Sequence, residues 1–395
     1  MPDNLVWAAH STNNENNMEP LIPASNAMAI LGVLLGLVGI GMWMETKAKL
    51  AQWGTISIIL LGALVSALGI IPRSAPVYGT VVTYFVPVSI ALLLFKADLR
   101  RIWKESGKVF VAFIAAAIAT VIGGLLGMLA ADLGDQEGAW VSTLISGFIG
   151  GSANTTAVAD SLGLLTSPDM GTAVAAVYAV AVPFLALILA MPQMAKVWHW
   201  FSPIDDSSAF GDVSEEQANQ YATPITGLSL ILSVSLAVII AAVSTWCSVW
   251  LDYPPAKYLM ITTLAVGFAT LSPKAADQLN GHYELGQLFI YLFFAVIGAS
   301  INFSLALENG LQVMIFCVVL LTVHMVLMAI AGRILKLNGP ELLVATNACI
   351  LGPPTAAAMA VSKGWHNLTT PAVLCGVFGY ATANYIGITL SRFLM

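Results

Sequence analysis

Two clusters of small, neutral polar residues lie inside otherwise apolar stretches of this 395-residue chain. The first is Ser142, Ser146, Ser152, Asn154, Thr155 and Thr156, around Gly150-Gly151. The second is Thr346, Asn347 and Thr355, around Gly352-Pro353-Pro354. Hydroxyls and amides donate and accept hydrogen bonds without carrying charge, the set needed to hold a small polar solute or to replace water around Na⁺. Solute binding is therefore expected at Ser152, Asn154, Thr155, Thr156, Asn347, Thr355 and, from the last apolar segment, Asn384; a Na⁺ site is expected from Ser146, Gly150, Asn154 and Thr346. Two ionisable groups add a coupling role for a proton or ion: Asp160, about two turns past the first interruption, and His324, midway along an apolar run, because charge inside a membrane segment is costly and marks function.

The backbone around these residues supports the same chemistry. Pro lacks an N–H and collides with the preceding turn, and paired Gly is a poor helix former, so the runs 139–165 and 341–361 should each split into two half-helices. Unwound backbone in a bilayer costs several kcal/mol per unpaired group unless protein, water or ligand meets it. A starting half-helix offers free N–H groups to an anion, and an ending one offers carbonyls to a cation. Interrupted segments in matching positions of two halves mark a carrier's binding site.

The elements that would position these groups follow from composition. The chain is 58% hydrophobic and 9% charged, with mean hydropathy +0.86. A soluble domain would carry about 25% charged residues, so this is an all-α polytopic membrane protein, and the unbroken apolar runs exclude an alternating outer-membrane barrel. The net charge of −6 and the lack of a basic patch give no sign of nucleic acid. Cys247, Cys317, Cys349 and Cys375 all lie in apolar segments and read as core residues. No cofactor is expected beyond a coupling Na⁺ or H⁺.

Twelve apolar segments can be marked out, at 26–43, 54–71, 78–95, 109–130, 139–165, 171–191, 226–250, 258–271, 285–303, 311–331, 341–361 and 371–390. Residues 1–25 read as a flexible polar tail without a signal peptide, 26–192 as a first repeat, 193–225 as a polar loop and 226–395 as a second repeat. Basic residues favour the cytoplasmic side. If the interrupted segments re-enter rather than cross, twelve of the fifteen Lys and Arg fall inside, leaving Arg73, Lys257 and Arg392 outside with the N-terminus. Each half then has an odd number of crossings, so the two repeats are inverted, with about ten full crossings and two discontinuous segments.

Gly150-Gly151-Ser152-Ala153-Asn154, Gly352-Pro353-Pro354-Thr355 and the closing Gly376-Val377-Phe378-Gly379-Tyr380-Ala381-Thr382-Ala383-Asn384-Tyr385-Ile386-Gly387 together resemble the YjcL-like family of uncharacterised membrane proteins, domain of unknown function 819, over residues 26 to 392. That family resembles in fold the carriers that include bile-acid/sodium symporters and cation/proton antiporters, which implies a core of discontinuous helices moving against a scaffold. The adjacent acidic pair of electrogenic antiporters has no counterpart beside either interruption. The expectation is a secondary carrier of a small, anionic organic solute in the inner or plasma membrane, with the lipid bilayer as its surroundings and a homodimer through the scaffold left open. The alternatives are a cation/proton antiporter using Asp160, a passive channel, and an intramembrane enzyme. The last is disfavoured because neither His-Glu-x-x-His nor Gly-x-Ser-x-Gly occurs, so the chain is not expected to be an enzyme.

Overall fold

The computed structural model describes residues 20–45, 54–167, 169–202, 204, 209, 224–300 and 303–395. Most of the polar stretches expected at 1–25 and 193–225, together with Lys47 and Lys49, lie outside the described residues. Among the described residues the chain is helical and has no strand. In order the helices are α1 (Ala27–Glu45), α2 (Gly54–Ala67), α3 (Pro76–Leu94), α4 (Leu99–Glu105), α5 (Gly107–Met128), α6 (Glu137–Gly150), α7 (Ser152–Ser161), α8 (Met170–Ala190), α9 (Ala195–Phe201), α10 (Gly227–Trp250), α11 (Ala256–Leu271), α12 (His282–Ala299), α13 (Phe303–Leu335), α14 (Gly339–Ile350), α15 (Pro353–Ser362) and α16 (Thr369–Leu394).

Eight of these helices are long and apolar enough to cross a membrane, and Ser57–Ala67 and Ala256–Leu271 are shorter apolar helices. The distribution of residue size agrees. In α10 the buried positions are Ser229, Ser233, Ala237, Ile240, Ala241, Ser244 and Ser248, while Leu228, Ile231, Leu232, Ile239, Trp246 and Trp250 are exposed. Small residues inward and large apolar residues outward is the reverse of a soluble helix. It is the pattern expected where lipid is the solvent and helices approach through small side chains.

The chain forms two compact units. One comprises the described residues within 1–86, 168–175 and 287–310; the other comprises those within 87–167, 176–286 and 311–395. In the first, α2 and the end of α12 meet through glycine: a Cβ on Gly298 would lie 2.2 Å from the Ile59 carbonyl, and one on Gly62 would lie 2.8 Å from that of Ala295. Tyr78 Oη donates to the Pro72 carbonyl at 2.7 Å and fixes the turn before α3. Because backbone cannot yield as a flexible side chain does, Gly298→Leu should destabilise the protein by about 1–3 kcal/mol. A melting curve of the purified variant checks this, and an unchanged Tm would contradict the close approach.

The second unit contains both interruptions. The helix α6 stops at Gly151, which adopts φ +74° and ψ −172°, and α7 starts one residue later; α14 gives way to α15 at Gly352, with φ +91°. Both breaks fall where the glycines and prolines predict them. Two helix starts carry reciprocal side-chain caps, Asn338 with Glu341 on α14 and Thr226 with Ser229 on α10. The start of α7 has no side-chain cap.

Candidate functional site

In each break a side chain of the ending half-helix bonds to the starting one. Ser146 Oγ donates to the Asn154 carbonyl at 3.2 Å, and Asn347 Nδ2 donates to the Thr355 carbonyl at 3.2 Å. Eight residues of straight helix would separate these groups by about 12 Å, so each pair of half-helices is sharply bent at its glycine. Thr155 Oγ1 confirms the fold-back, since a Cβ on Gly147 would lie 2.1 Å from it.

The two breaks correspond residue for residue. Ser152–Ser161 and Pro353–Ser362, Gly151 and Gly352, the positive-φ glycines Gly163 and Gly364, and the pairs Ser146/Asn154 and Asn347/Thr355 are each 201 residues apart. So are the closing bonds from Leu164 N to the Ala159 carbonyl and from Trp365 N to the Ala360 carbonyl, both 2.8 Å.

One face of α16 lies against both breaks. A Cβ on Gly376 would meet Pro353 at 2.7 Å, one on Gly379 the Ile149 carbonyl at 2.4 Å, and one on Gly387 the Ser146 side chain at 2.7 Å. Between these glycines stands Tyr380. Its ring is 3.3 Å from where a Cβ of Gly151 would be, and its hydroxyl is 3.3 Å from that of Gly352. One tyrosine side chain therefore borders the space that a Cβ would fill at both break glycines.

The polar side chains of α16 tie this face to its neighbours. Asn154 Nδ2 donates to the Tyr380 carbonyl at 2.9 Å and to Asn384 Oδ1 at 2.8 Å; Asn384 Nδ2 donates to Thr262 Oγ1 at 3.0 Å; Thr262 donates to the Tyr258 carbonyl at 2.8 Å. Asn154, Asn384 and Thr262 are all at most 2% exposed. Buried amides need partners, and here three helices, α7, α16 and α11, supply them to one another.

The breaks differ in what they leave open. At the first, the N–H groups of Ser152 and Ala153 carry no hydrogen bond among the described residues. At the second, Pro353 and Pro354 have no N–H to offer. There Thr355 Oγ1 donates to Asn347 Oδ1 at 2.7 Å, so the amide is satisfied within the break. By the same accounting the first break leaves two half-helix N–H groups free, those of Ser152 and Ala153, and the second leaves that of Thr355.

The hydroxyls of two other expected residues bond to groups other than those that close the breaks. Thr156 is 1% exposed and donates to the Ser152 carbonyl of its own helix at 2.9 Å. Thr346 sits with His324, whose Nε2 is 3.3 Å from Thr346 Oγ1 and whose Nδ1 is 2.9 Å from Thr120 Oγ1. Thr120 donates to the Ala116 carbonyl at 2.9 Å, which makes it the acceptor toward Nδ1–H and leaves Nε2 to accept from Thr346. Cys349, in the same cluster, donates to the Phe148 carbonyl at 3.4 Å and so joins the two broken segments. Asp160 lies about 12 Å along α7 from its start and pairs with Lys257 of α11, whose ammonium stands 4.6 Å over the Tyr258 ring.

Tyr380, Thr262 and Lys257 are absent from the set of site residues expected from the sequence. Tyr380 had a readable signal, a large aromatic flanked by helix-spaced glycines. Thr262 and Lys257 had none, since their partners are 122 and 97 residues away. A groove of about 380 Å³ on the opposite face of α16, lined by Phe113, Ile114, Ala117, Phe378, Thr382, Tyr385 and Ile386, is apolar and offers no comparable constellation.

Residues 32–395 match the family described as protein of unknown function (DUF819), a match that spans both breaks and the helix between which they are held. The chain belongs to the DUF819 family. Among curated proteins it is 30% identical over 391 residues to the uncharacterized membrane protein YjcL of Bacillus subtilis (strain 168), covering 94% of this chain and 97% of that one. This DUF819 member is thus a multi-pass membrane protein whose most distinctive construction is a pair of corresponding helix breaks sharing one tyrosine.

Proposed function

We propose that the protein is a secondary active transporter of a small, anionic organic solute, coupled to Na⁺ or H⁺, in the cell membrane. The observation that carries this reading is the juxtaposition of Gly151 and Gly352 on the ring of Tyr380. It gathers the unwound backbone of two broken helices at one place, and such backbone is tolerated in a bilayer where it serves a solute or an ion. The uncapped N–H groups of Ser152 and Ala153, at the positive end of α7, favour an anionic group, with Tyr380 as the wall it rests on.

The constant spacing of 201 residues between the breaks supports two repeats. The sharp bend at each break supports re-entrant segments, which gives each half five crossings and inverts one half relative to the other. With the cluster Arg100, Arg101, Lys104 and Lys108 in the cytoplasm, the N-terminus is outside. The antiporter alternative gains little, because Asp160 is engaged with Lys257 and lies well away from both glycines.

Thermal stability of the purified protein against amino acids, dicarboxylates, short peptides and sugar acids, each with and without Na⁺, tests the reading. A ligand at 100 times its dissociation constant stabilises by about 2.7 kcal/mol. Stabilisation by an organic anion is the expected result. Stabilisation by cations alone, shifting with pH and lost in Asp160→Asn, would replace it with the antiporter.

A further inference from the structure

The polarity of one hydrogen-bond chain leaves a single buried oxygen without a donor. Thr262 gives its proton to the Tyr258 carbonyl, so toward Asn384 it accepts. Asn384 must then turn Oδ1 toward Asn154, whose two amide protons go to that oxygen and to the Tyr380 carbonyl. The orientation of the Asn154 amide is thereby fixed. Its Oδ1, in a side chain 2% exposed, accepts nothing among the described residues. A buried acceptor in that condition is destabilising unless a water or an ion meets it.

This oxygen lies beside the end of α6, next to the Ala383 methyl group. It lies against Gly150, whose absent Cβ would be 2.4 Å away. Gly150 ends α6, its carbonyl receives no hydrogen bond among the described residues, and the ending half-helix contributes its partial negative charge there. The matching position of the second break is closed, because Asn347 Oδ1 already accepts from Thr355.

We infer that the first break binds Na⁺ at the end of α6, with Asn154 Oδ1 and the Gly150 carbonyl as protein ligands. Neutral oxygens suit a hard monovalent cation. A divalent ion would call for carboxylates, and no group of three His, Cys, Asp or Glu able to hold a metal occurs among the described residues. A proton finds no seat, since amide and carbonyl oxygens do not titrate in the working range. The two ionisable groups expected to couple ions are engaged elsewhere, Asp160 with Lys257 and His324 between two hydroxyls. The solute anion at Ser152 and Ala153 would sit across the same break, so each charge favours the other's binding. This rests on the carrier reading only in making Na⁺ the coupling ion.

The test is equilibrium binding of ²²Na⁺ to the purified full-length protein in detergent, with no solute, together with melting curves in NaCl, KCl and choline chloride. Expected are saturable ²²Na⁺ binding, a Tm several degrees higher in NaCl than in the other salts, and an apparent affinity changing less than twofold between pH 6 and pH 8. Asn154→Leu should weaken binding at least tenfold, while Thr263→Val, which removes the hydroxyl of α11 that bonds the Tyr385 hydroxyl of α16, should leave it intact. If Asn154→Leu does not fold, the wild-type measurements still decide. Absence of Na⁺ binding assigns the oxygen to a water and overturns the inference, and a tenfold weakening per pH unit overturns it in favour of a titrating site. Solute binding in a protein that binds no Na⁺ would refute the inference and leave the carrier reading standing; Na⁺ binding in a protein that no organic solute stabilises would do the reverse.

Discussion

Asn154→Leu is expected to lower stability by about 1–4 kcal/mol and to abolish solute binding. The substitution strips donors from the Tyr380 carbonyl and from Asn384 Oδ1, at 2.9 and 2.8 Å, and leaves both acceptors without that partner. Each lost partner costs about 1–3 kcal/mol in a soluble core, but bonds between membrane helices average about 0.6 kcal/mol because the unfolded state in the bilayer also finds partners. The range reflects that difference. A sharper form of the prediction uses Asn384→Leu as well. If the two amides act on each other, the double variant should fall short of the sum of the singles by more than about 0.5 kcal/mol, since replacing both partners removes the unmet acceptor. Strict additivity in the melting data would mean that the pair is not coupled.

Gly151→Ala should have a comparably large effect, for a different reason. The conformation at Gly151, φ +74° with an extended ψ, is accessible essentially to glycine alone, and an added Cβ there would lie 3.3 Å from the Tyr380 ring. Gly69 provides the control: it has φ +69° but open space around its missing Cβ. Both Ala variants carry backbone strain, of order 1–3 kcal/mol. Only Gly151→Ala also pushes on the shared tyrosine, so it should lose all ligand-induced stabilisation while Gly69→Ala retains it. Equal ligand responses in the two variants would show that Tyr380 does not wall the site.

The contrast between these residues shows what the sequence makes legible. Gly150-Gly151 and Gly352-Pro353-Pro354 act through the local backbone, so the breaks can be read directly, and the observed ones fall at Gly151 and Gly352. Asn384 is legible as a buried amide in need of partners, and the first break supplies one through Asn154. Which neighbours face the break depends on helix phase and on packing with distant segments. Thr346 and Asn347 are adjacent in sequence, yet one bonds to His324 and the other to the break. Lys257 enters the sequence reading as a loop charge but pairs across the fold with Asp160. Tyr380 stands between the two glycines only because Gly376, Gly379 and Gly387 let α16 lie directly on both broken segments.

The spacing of those glycines also accounts for the two faces of α16. Gly376, Gly379, Ala383 and Gly387 form a stripe of small residues at helical intervals against the broken segments, and Tyr380 and Asn384 lie beside it. Phe378, Thr382 and Tyr385 follow the same period on the other side, where the groove is apolar. A single helix thus carries both the close packing that holds the breaks and the polar groups that serve them.

The measurement that bears most directly on the carrier itself is concentrative uptake in proteoliposomes. Vesicles holding purified protein are given a defined mixture of organic anions, with and without an inward Na⁺ gradient, and their contents are read by mass spectrometry. The account predicts that at least one anion accumulates above its external concentration only with the gradient, and that Gly151→Ala vesicles do not accumulate it. Equilibration to the external level regardless of the gradient, or no uptake of any anion, would contradict it.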